Sequence, residues 1–348
     1  MPVSRIDAIN LKLWIVSVIV LTLINATCTV GAVAAFFKNF GFPCLYVEVV
    51  DYKSFNMTSY NVIHQLTPQL YLPALQMRIY TGTTITIFSV TNIYYIICVV
   101  RIFLNRHNII KVNQSTRDIR CVGDTSTSFL LGMSIYTHFF FIVTLSFKLI
   151  YLAAFLHTIM FTTFTSLVVM LITRYQSFDK TFFDIAKIHP KLTATLRVKA
   201  FIINILQFLL GLMTLVTTLT LGLTLGNSFY VKTSTVLFSS MNFFFALFLV
   251  FFIIIESLLT KYMKVQFGYH IGILVSLIML FLPILAYETL YANEYFRGII
   301  SNIACMFIVW AMFFILRVIR FMCLKSKYQL IIHEVEDPLD VEETLSTS

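Results

Sequence analysis

The sequence has very little charge. Only 12% of its 348 residues are Asp, Glu, Lys or Arg, which is about half of the ~25% that soluble domains carry. Eight long stretches contain no charged residue at all, and 59% of the chain is hydrophobic. A helix needs about 20 apolar residues to cross a bilayer. The sequence therefore excludes a soluble fold and predicts an all-α polytopic membrane protein with a bundle of eight transmembrane helices.

The boundaries of the spans follow from the charge-free stretches. The third and fourth stretches are separated by a single charge, Lys148, and together they are too long for one helix, so we expect a tight hairpin with Lys148 at its tip. This divides the chain into an N-terminal segment (1–12), an eight-span domain (13–316, with a first exterior loop at about 38–78) and a tail (317–348). The predicted spans are Leu13–Phe37, Ile79–Val100, Ser128–Phe147, Leu149–Ile172, Ala200–Leu225, Thr233–Ile255, Ile271–Tyr287 and Ile299–Leu316.

The loops differ strongly in basic residues. If the N-terminus is cytoplasmic, 19 of the 25 Lys and Arg residues lie on the cytoplasmic side and 6 on the other. Short cytoplasmic loops carry this excess in membrane proteins. We therefore expect both termini in the cytoplasm. The net charge of +9 reflects this asymmetry and predicts no nucleic-acid partner.

Several signatures of chemistry are absent. No span carries Asp, Glu, Lys or Arg in its middle, as ion-coupled transporters usually require. The sequence also lacks a phosphate-binding loop, a His-Glu-x-x-His motif and paired carboxylates. It predicts no enzyme, no cofactor and no metal site. His138 and His157 lie within spans, where we expect interhelical hydrogen bonds. A receptor or channel-like bundle with a pore lined by Ser and Thr remains the alternative.

The topology separates the cysteines and the glycosylation motifs by compartment. Of six cysteines, only Cys44 faces the oxidising side, where an odd cysteine suggests an intermolecular disulfide, with a free or buried thiol as the open alternative. The others lie in spans (Cys28, Cys98, Cys305) or on the cytoplasmic side (Cys121, Cys323, with Cys323 placed for palmitoylation). Of three Asn-x-Ser/Thr motifs, Asn25 lies in a span and Asn113 in the cytoplasm. Asn56 is therefore the expected N-glycosylation site.

The tail carries a tyrosine-based motif. Tyr328-Gln329-Leu330-Ile331 has a tyrosine with a bulky apolar residue three positions later, the extended form that clathrin adaptors bind. The tail lacks the hydrophobicity to fold alone, so we expect it to be disordered. The motif predicts a sorting signal formed by Tyr328 and Ile331. An acidic cluster follows it, comprising Glu334, Glu336, Asp337, Asp340, Glu342 and Glu343.

Small residues recur at a spacing of four in two spans. Thr27, Gly31 and Ala35 share one face of the first span, and Gly222 and Gly226 share a face of the fifth. Such faces let helices approach closely. We expect them to pack within the bundle, with a partner helix against the first stripe as the alternative.

Long irregular strings in the loops carry a resemblance to a known family. The chain resembles herpesvirus envelope glycoprotein M, most closely its betaherpesvirus members, over nearly its whole length. The strings are Pro43-Cys44-Leu45-Tyr46, residues 56–62, residues 113–119, His189-Pro190-Lys191-Leu192, residues 264–270, Asn293-Glu294-Tyr295 and residues 308–313.

The resemblance implies a function for the exposed residues. It implies a non-enzymatic envelope protein that pairs with glycoprotein N, a small single-span partner, with Cys44 as the position of the joining disulfide and Asn56 as the sequon. It implies a tail that directs the pair to the trans-Golgi network, Golgi and endosomes for virion assembly and egress, through Tyr328, Ile331 and the acidic cluster. Host nuclear inner membrane is a further implied location. Basic cytoplasmic loops, above all 174–199, are candidates to contact tegument proteins or anionic lipid.

Overall fold

The computed structural model describes residues 5–37, 39–43, 74–105, 124–173, 190–229, 231, 233–261, 266–286 and 296–336. Within these ranges the chain forms eight α-helices and a short 3-10 turn (Leu259–Lys261), with no strand. The helices are α1 (Arg5–Ala34), α2 (Ala74–Asn105), α3 (Thr125–Ser146), α4 (Ile150–Thr173), α5 (Pro190–Ser228), α6 (Thr233–Ser257), α7 (Gly268–Ala286) and α8 (Phe296–Glu336).

The all-α, multi-span prediction is confirmed. Seven of these helices are long and apolar enough to cross a membrane, and α7 contributes a shorter apolar stretch, Gly268–Leu282. Each helix contains most of one predicted span. The assignment of compartments rests on the basic residues and stays a prediction.

Helix α5 lies at the centre of the bundle. It packs against α4, α6 and α7, and also against α2, and 72% of its most apolar 18-residue stretch is buried. The first and last helices are peripheral, because only 28% of the corresponding stretch of α1 and 17% of that of α8 are buried. Helix α1 packs mainly on α2 and α3, whereas α8 packs mainly on α6 and α7. The first and last helices therefore lie on different sides of the bundle.

Contacts near the helix ends show that the first three helices run in alternating directions. Trp14, near the start of α1, meets Tyr95, near the end of α2, with ring centroids 6.4 Å apart. The Tyr95 hydroxyl donates to Thr127 Oγ1, near the start of α3, at 3.1 Å. Asp124 caps α3, because its Oδ1 accepts from the Thr127 main-chain nitrogen at 3.1 Å.

The predicted hairpin at Lys148 is confirmed. Helix α3 ends at Ser146 and α4 begins at Ile150, and Lys148 has a φ of 60°. A left-handed residue reverses the chain within three residues, although a non-glycine residue there costs about 1 kcal/mol. The two helices then pack along their length, with Ser134 Oγ 3.2 Å from Thr163 Oγ1.

Glycines bring α5 and α7 into close backbone contact. A β-carbon at Gly268 would overlap the main-chain oxygen of Asn204, and one at Gly211 would lie 2.7 Å from the carbonyl carbon of Gly272. The Asn204 side chain also accepts from the main-chain nitrogens of Phe267 and Gly268, at 2.9 and 3.0 Å. An α5 side chain thus supports the first turn of α7.

The two stripes of small residues pack inside the bundle, as expected. A β-carbon at Gly31 would overlap Phe139 of α3, and those at Gly222 and Gly226 would overlap Ser240 and Val236 of α6. Thr27 is the exception, because it faces outward and donates to carbonyls of its own helix.

Candidate functional site

The segment that leads to Cys44 is folded back onto the end of α1. Asn39 and Gly41 have φ values of 74° and 85°, a conformation that asparagine and glycine tolerate better than other residues. The rings of Phe37 and Phe40 lie 6.0 Å apart. Phe42 is partly buried and packs against the hydrophobic core. The chain is therefore attached to the bundle two residues before Cys44.

Cys44 itself lies outside the described residues, and so does Asn56. The sequon at Asn25 lies inside α1, where its side chain is buried and its Nδ2 is 3.4 Å from Ser89 Oγ. Asn113 and Cys121 lie outside the described residues.

The other four cysteines lie in the described part of the chain. Cys28 and Cys98 are buried, as expected for cysteines that act as small apolar residues in spans. Cys305 also lies in a span, but it faces outward, and Cys323 is exposed near the end of the α8 span.

His157 joins three helices, which confirms the prediction of an interhelical role. Its Nε2 lies 2.8 Å from the hydroxyl of Tyr80 on α2, and its Nδ1 lies 3.1 Å from Thr217 Oγ1 on α5. The Thr217 hydroxyl donates its proton to the carbonyl of Met213. Thr217 must therefore accept from Nδ1, and Tyr80 must donate to Nε2. One neutral tautomer satisfies the whole chain of bonds.

For His138 the same prediction is wrong. Neither ring nitrogen has a hydrogen-bond partner in the described part of the chain, although the side chain is buried. The imidazole instead packs among aromatic rings, with centroids 6.0 Å from Tyr80 and 6.1 Å from Phe88. His138 therefore contributes aromatic packing to the bundle, whereas His157 contributes hydrogen bonds between helices.

A buried ionic cluster joins α6, α7 and α8 at the end where the tail begins. Arg320 Nη1 lies 2.7 Å from Glu256 Oε2, and Arg317 Nη1 lies 3.7 Å from the same oxygen. His270 Nε2 is 3.7 Å from Glu256 Oε1. Arg317 and His270 are almost fully buried, whereas the Arg320 side chain is 43% exposed. One carboxylate thus faces two arginines.

Neighbouring polar contacts extend this cluster. Arg317 Nη1 donates to Thr260 Oγ1 at 3.0 Å, and the indole of Trp310 donates to the main-chain oxygen of His270 at 2.8 Å. Gln266 joins α5 to the 3-10 turn, because it accepts from Gln207 at 3.0 Å and donates to Leu259 O at 3.0 Å. Three residues of the strings that carry the family resemblance therefore contribute contacts at this end of the bundle: Gln266, His270 and Trp310.

Sequence reasoning missed this cluster. It assigned Glu256 to the end of a span, Arg317 and Arg320 to the tail, and left His270 outside the seventh span. A pairing could have been inferred from one acid at the end of the sixth span and two bases after the eighth, because both ends lie on the same side of the membrane. His270 lies in α7 because that helix begins at Gly268, three residues before the predicted boundary.

The last helix continues well beyond the span. Helix α8 runs without a break from Phe296 to Glu336, so the prediction of a disordered tail is wrong for residues 317–336. The backbone is helical through Tyr328 and Ile331, and the side chains there lie outside the described residues, as does the acidic cluster from Asp337 onward. The adaptor-type motif therefore occupies a helical segment, and an adaptor that binds an extended peptide requires its unwinding.

Comparison with known proteins shows which family the sequence belongs to. The family model of herpesvirus glycoprotein M matches residues 7–331. The chain is 42% identical to envelope glycoprotein M of human herpesvirus 7 over 344 residues, covering 99% of both chains. It is 40% identical to envelope glycoprotein M of murid herpesvirus 1 over 327 residues, covering 94% of this chain and 93% of the relative.

A third relative shows the breadth of the family. Envelope glycoprotein M of human cytomegalovirus is 34% identical over 321 residues, covering 92% of this chain and 86% of the relative. No solved structure matches the chain. With a family model that covers nearly the whole sequence and relatives of this identity, the chain belongs to the herpesvirus glycoprotein M family.

Proposed function

We propose that the protein is a non-enzymatic scaffold of the viral envelope, which pairs with glycoprotein N through Cys44 and directs the pair to trans-Golgi and endosomal membranes. There the pair would take part in virion assembly, secondary envelopment and egress. Two observations support this proposal: the chain forms a multi-span helical bundle, and its relatives are named envelope glycoproteins. The pairing and the route depend on two separate segments of the chain.

The attachment of residues 39–43 is the observation that carries the pairing. Phe42 packs against the core, and Cys44 follows it two residues later in the sequence. A cysteine held near the membrane surface can meet a cysteine of a single-span partner at a similar height. Such tethering raises the effective concentration of the second thiol and favours a disulfide between the chains.

The position of the motif along α8 supports the sorting role. The ionic cluster at Glu256 fixes the helix where it leaves the bundle, and the same helix then carries Tyr328 and Ile331. Residue 328 is five positions beyond Cys323, the last residue of the described span, or about 8 Å along a helix. This distance holds the motif close to the membrane, where clathrin adaptors assemble.

One experiment tests the pairing directly. The full chain is expressed with glycoprotein N as the probe, and non-reducing gels compare the wild type with Cys44→Ser. We expect a shifted band, sensitive to reductant, that disappears in Cys44→Ser. Cys28→Ser is the matched control, because Cys28 is buried in α1 and its loss should leave the band unchanged. A shifted band that survives Cys44→Ser would overturn the assignment.

The alternative is a receptor or channel-like bundle. It requires a polar pathway through the helices, but many buried hydroxyls are already occupied, since Thr84, Thr91 and Thr214 donate to carbonyls of their own helices. Solute flux through vesicles that contain the purified protein tests this alternative. Flux above that of protein-free vesicles would favour it over the scaffold.

A further inference from the structure

Outward-facing polar side chains collect between α6 and α8, in the half of the bundle away from Glu256. Asn302 on α8 donates to Asn242 Oδ1 on α6, and small side chains flank this pair. We call this surface the α6–α8 valley. It is formed by Ser239, Asn242 and Ala246 of α6 and by Ser301, Asn302 and Cys305 of α8, of which only Asn302 is partly buried and the others are exposed.

The valley has unused hydrogen-bonding capacity. The single bond between the two asparagines leaves the amide hydrogens of Asn242 and the oxygen of Asn302 without a partner in the described part of the chain. Ser239 and Ser301 make no hydrogen bond there either. Outward-facing Thr27 and Thr86, in contrast, donate to carbonyls of their own helices. The polar atoms of the valley are thus available to a second molecule.

These atoms lie at membrane depth. Asn242 is nine residues from the start of α6 and Asn302 is six residues from the start of α8, which is about 13 Å and 9 Å of helix. Both positions fall within the candidate spans. Hydrocarbon offers no hydrogen bonds to an amide, and small residues allow a helix to approach closely enough to supply them. The occupant that satisfies the valley is therefore another transmembrane helix.

We propose that two copies of the chain associate in the same membrane through this valley, with α8 packed against α8. Outward-facing residues of α8 follow an alternating four-three spacing, which is the pattern of parallel left-handed helix pairs. The stripe contains no charge, so an identical copy is not repelled. Its first six members are Ser301, Cys305, Ile308, Met312, Ile315 and Ile319, all exposed.

The polar groups of the valley are self-complementary. In a two-fold contact the same patch faces itself, and an amide or a hydroxyl can both donate to and accept from its own counterpart. Asn302 and Ser301 therefore suit a symmetric partner. The contact also brings the two Cys305 residues, one from each copy, to the same height on facing helices.

A second copy fits this site better than the single-span helix of a heterologous partner. That partner is tethered next to α1 under the proposed function, and this preference rests on it. Helix α1 packs on α2 and α3, and α3, α4, α5 and α6 then link it to α8 in order of contact. A helix held at Cys44 thus lies at the far end of the bundle from the valley.

Oxidative cross-linking of the full chain in native membranes tests the proposal. The background carries Cys44→Ser, Cys121→Ser and Cys323→Ser, so that Cys305 is the one outward-facing thiol among the described cysteines. We expect copper-phenanthroline to produce a dimer band that reductant removes. Additional Cys305→Ser should abolish the band. Because Cys44 is absent throughout, failure of the Cys44 assignment cannot affect this result.

A cysteine scan controls for random collision. Added to the Cys305→Ser background, Ile308→Cys and Met312→Cys should restore the dimer band, because both positions lie in the stripe. Tyr136→Cys and Leu152→Cys are matched controls on α3 and α4, since they are also outward-facing, at 49% and 44% exposure. Equal cross-linking at all four positions would overturn the proposal.

Co-precipitation of two differently tagged copies gives an independent measurement. Asn302→Leu should lower the co-precipitated fraction by about threefold to tenfold, the range expected for a lost interhelical polar contact. The monomer peak of the variant in size-exclusion chromatography should keep its elution volume, which shows that the single chain is still folded.

Absence of a cross-link at Cys305, Ile308→Cys and Met312→Cys would mean that lipid covers the valley. Cross-linking to a protein of different mass would assign it to another partner. Either result overturns the proposal.

Discussion

Arg320 of α8 binds Glu256 of α6 at two points. Its Nη1 lies 2.7 Å from the carboxylate oxygen Oε2 and 2.9 Å from the main-chain oxygen of the same residue. The carboxylate also faces Arg317 and His270. The place where α8 leaves the bundle is therefore fixed by charge pairing in addition to apolar packing.

Substitution of Glu256 should destabilise the bundle. Glu256→Gln keeps the shape of the side chain but leaves Arg317 buried without its counter-charge, and breaking a buried ion pair costs about 3 kcal/mol. We expect a clearly lower melting temperature in detergent, followed by size-exclusion chromatography after heating. Lys148→Gln, at the exposed turn between α3 and α4, is the control and should melt like the wild type. Equal melting of Glu256→Gln and the wild type would contradict the role of the cluster.

The two intramembrane histidines should respond differently to the same substitution. His157→Phe removes bonds to Tyr80 and Thr217 and should lower the free energy of unfolding by about 1–3 kcal/mol. His138→Phe removes two nitrogens that have no partner and should be neutral or stabilising. Thermal melting of both variants in detergent measures the difference. If the variants melt alike, the hydrogen-bonded chain through His157 does not stabilise the bundle.

Alanine scanning of two glycines should separate close packing from helix propensity. Gly268→Ala places a methyl group on the main-chain oxygen of Asn204, so α5 and α7 must move apart, at a cost of about 3 kcal/mol or more. Gly82→Ala meets no atom within 4 Å and should gain up to about 1 kcal/mol of helix propensity. The yield of monodisperse protein and its melting temperature report both effects. Normal folding of Gly268→Ala would show that the contact between these helices can relax.

The sorting motif should depend on Tyr328. Tyr328→Ala removes the aromatic group that an adaptor pocket would hold, so the protein should accumulate at the cell surface, as measured by surface biotinylation. His333→Ala lies in the same helical segment but outside the four-residue motif, and it should leave the distribution unchanged. An unaltered Golgi pattern for Tyr328→Ala would remove the basis for the sorting role.

The helical state of the motif leads to a separate prediction. Ser326→Pro breaks α8 just before Tyr328, because proline lacks the main-chain hydrogen-bond donor and clashes with the preceding turn. If adaptors bind the extended form, this variant should be internalised at least as fast as the wild type. Antibody uptake from the cell surface measures the rate. Slower uptake would mean that the helix itself is recognised.

Asn56 should be the glycosylated asparagine. Asn56→Gln should abolish the mobility shift that peptide N-glycosidase produces in the wild type, because Asn25 is buried in α1 and Asn113 lies on the predicted cytoplasmic side. Asn113→Gln is the control and should keep the shift. A shift that persists in Asn56→Gln but is lost in Asn113→Gln would reverse the predicted orientation.

The spans could be predicted because their cause is local. An uncharged stretch of about 20 apolar residues has one stable arrangement in a bilayer, and the single charge at Lys148 marked the turn between α3 and α4. The burial of residues at the end of α8 was harder to predict from the sequence. Arg317 and Arg320 look like residues of a solvated tail, and the carboxylate of Glu256, 61 residues before Arg317, gives the buried Arg317 a counter-charge.

The contacts between helices could not be predicted because they depend on which faces meet. His138 and His157 look equivalent in the sequence, yet only His157 lies within reach of hydroxyls on two other helices. Gly268 and Gly272 have the same spacing of four as Gly222 and Gly226. Their role went unrecognised because the predicted seventh span began at Ile271, after the first of these glycines.

The three-residue turn at Lys148 also has a consequence for biosynthesis. Helices α3 and α4 emerge from the ribosome almost together and contact each other along their whole length, so we expect them to enter the membrane as one hairpin. Their contacts are local in sequence and can form early. The contacts of α5 with α7 join residues such as Asn204 and Gly268, 64 positions apart, and must wait until α6 has been synthesised. Because the turn at Lys148 is short, we expect the contacts between α3 and α4 to form before those between α5 and α7.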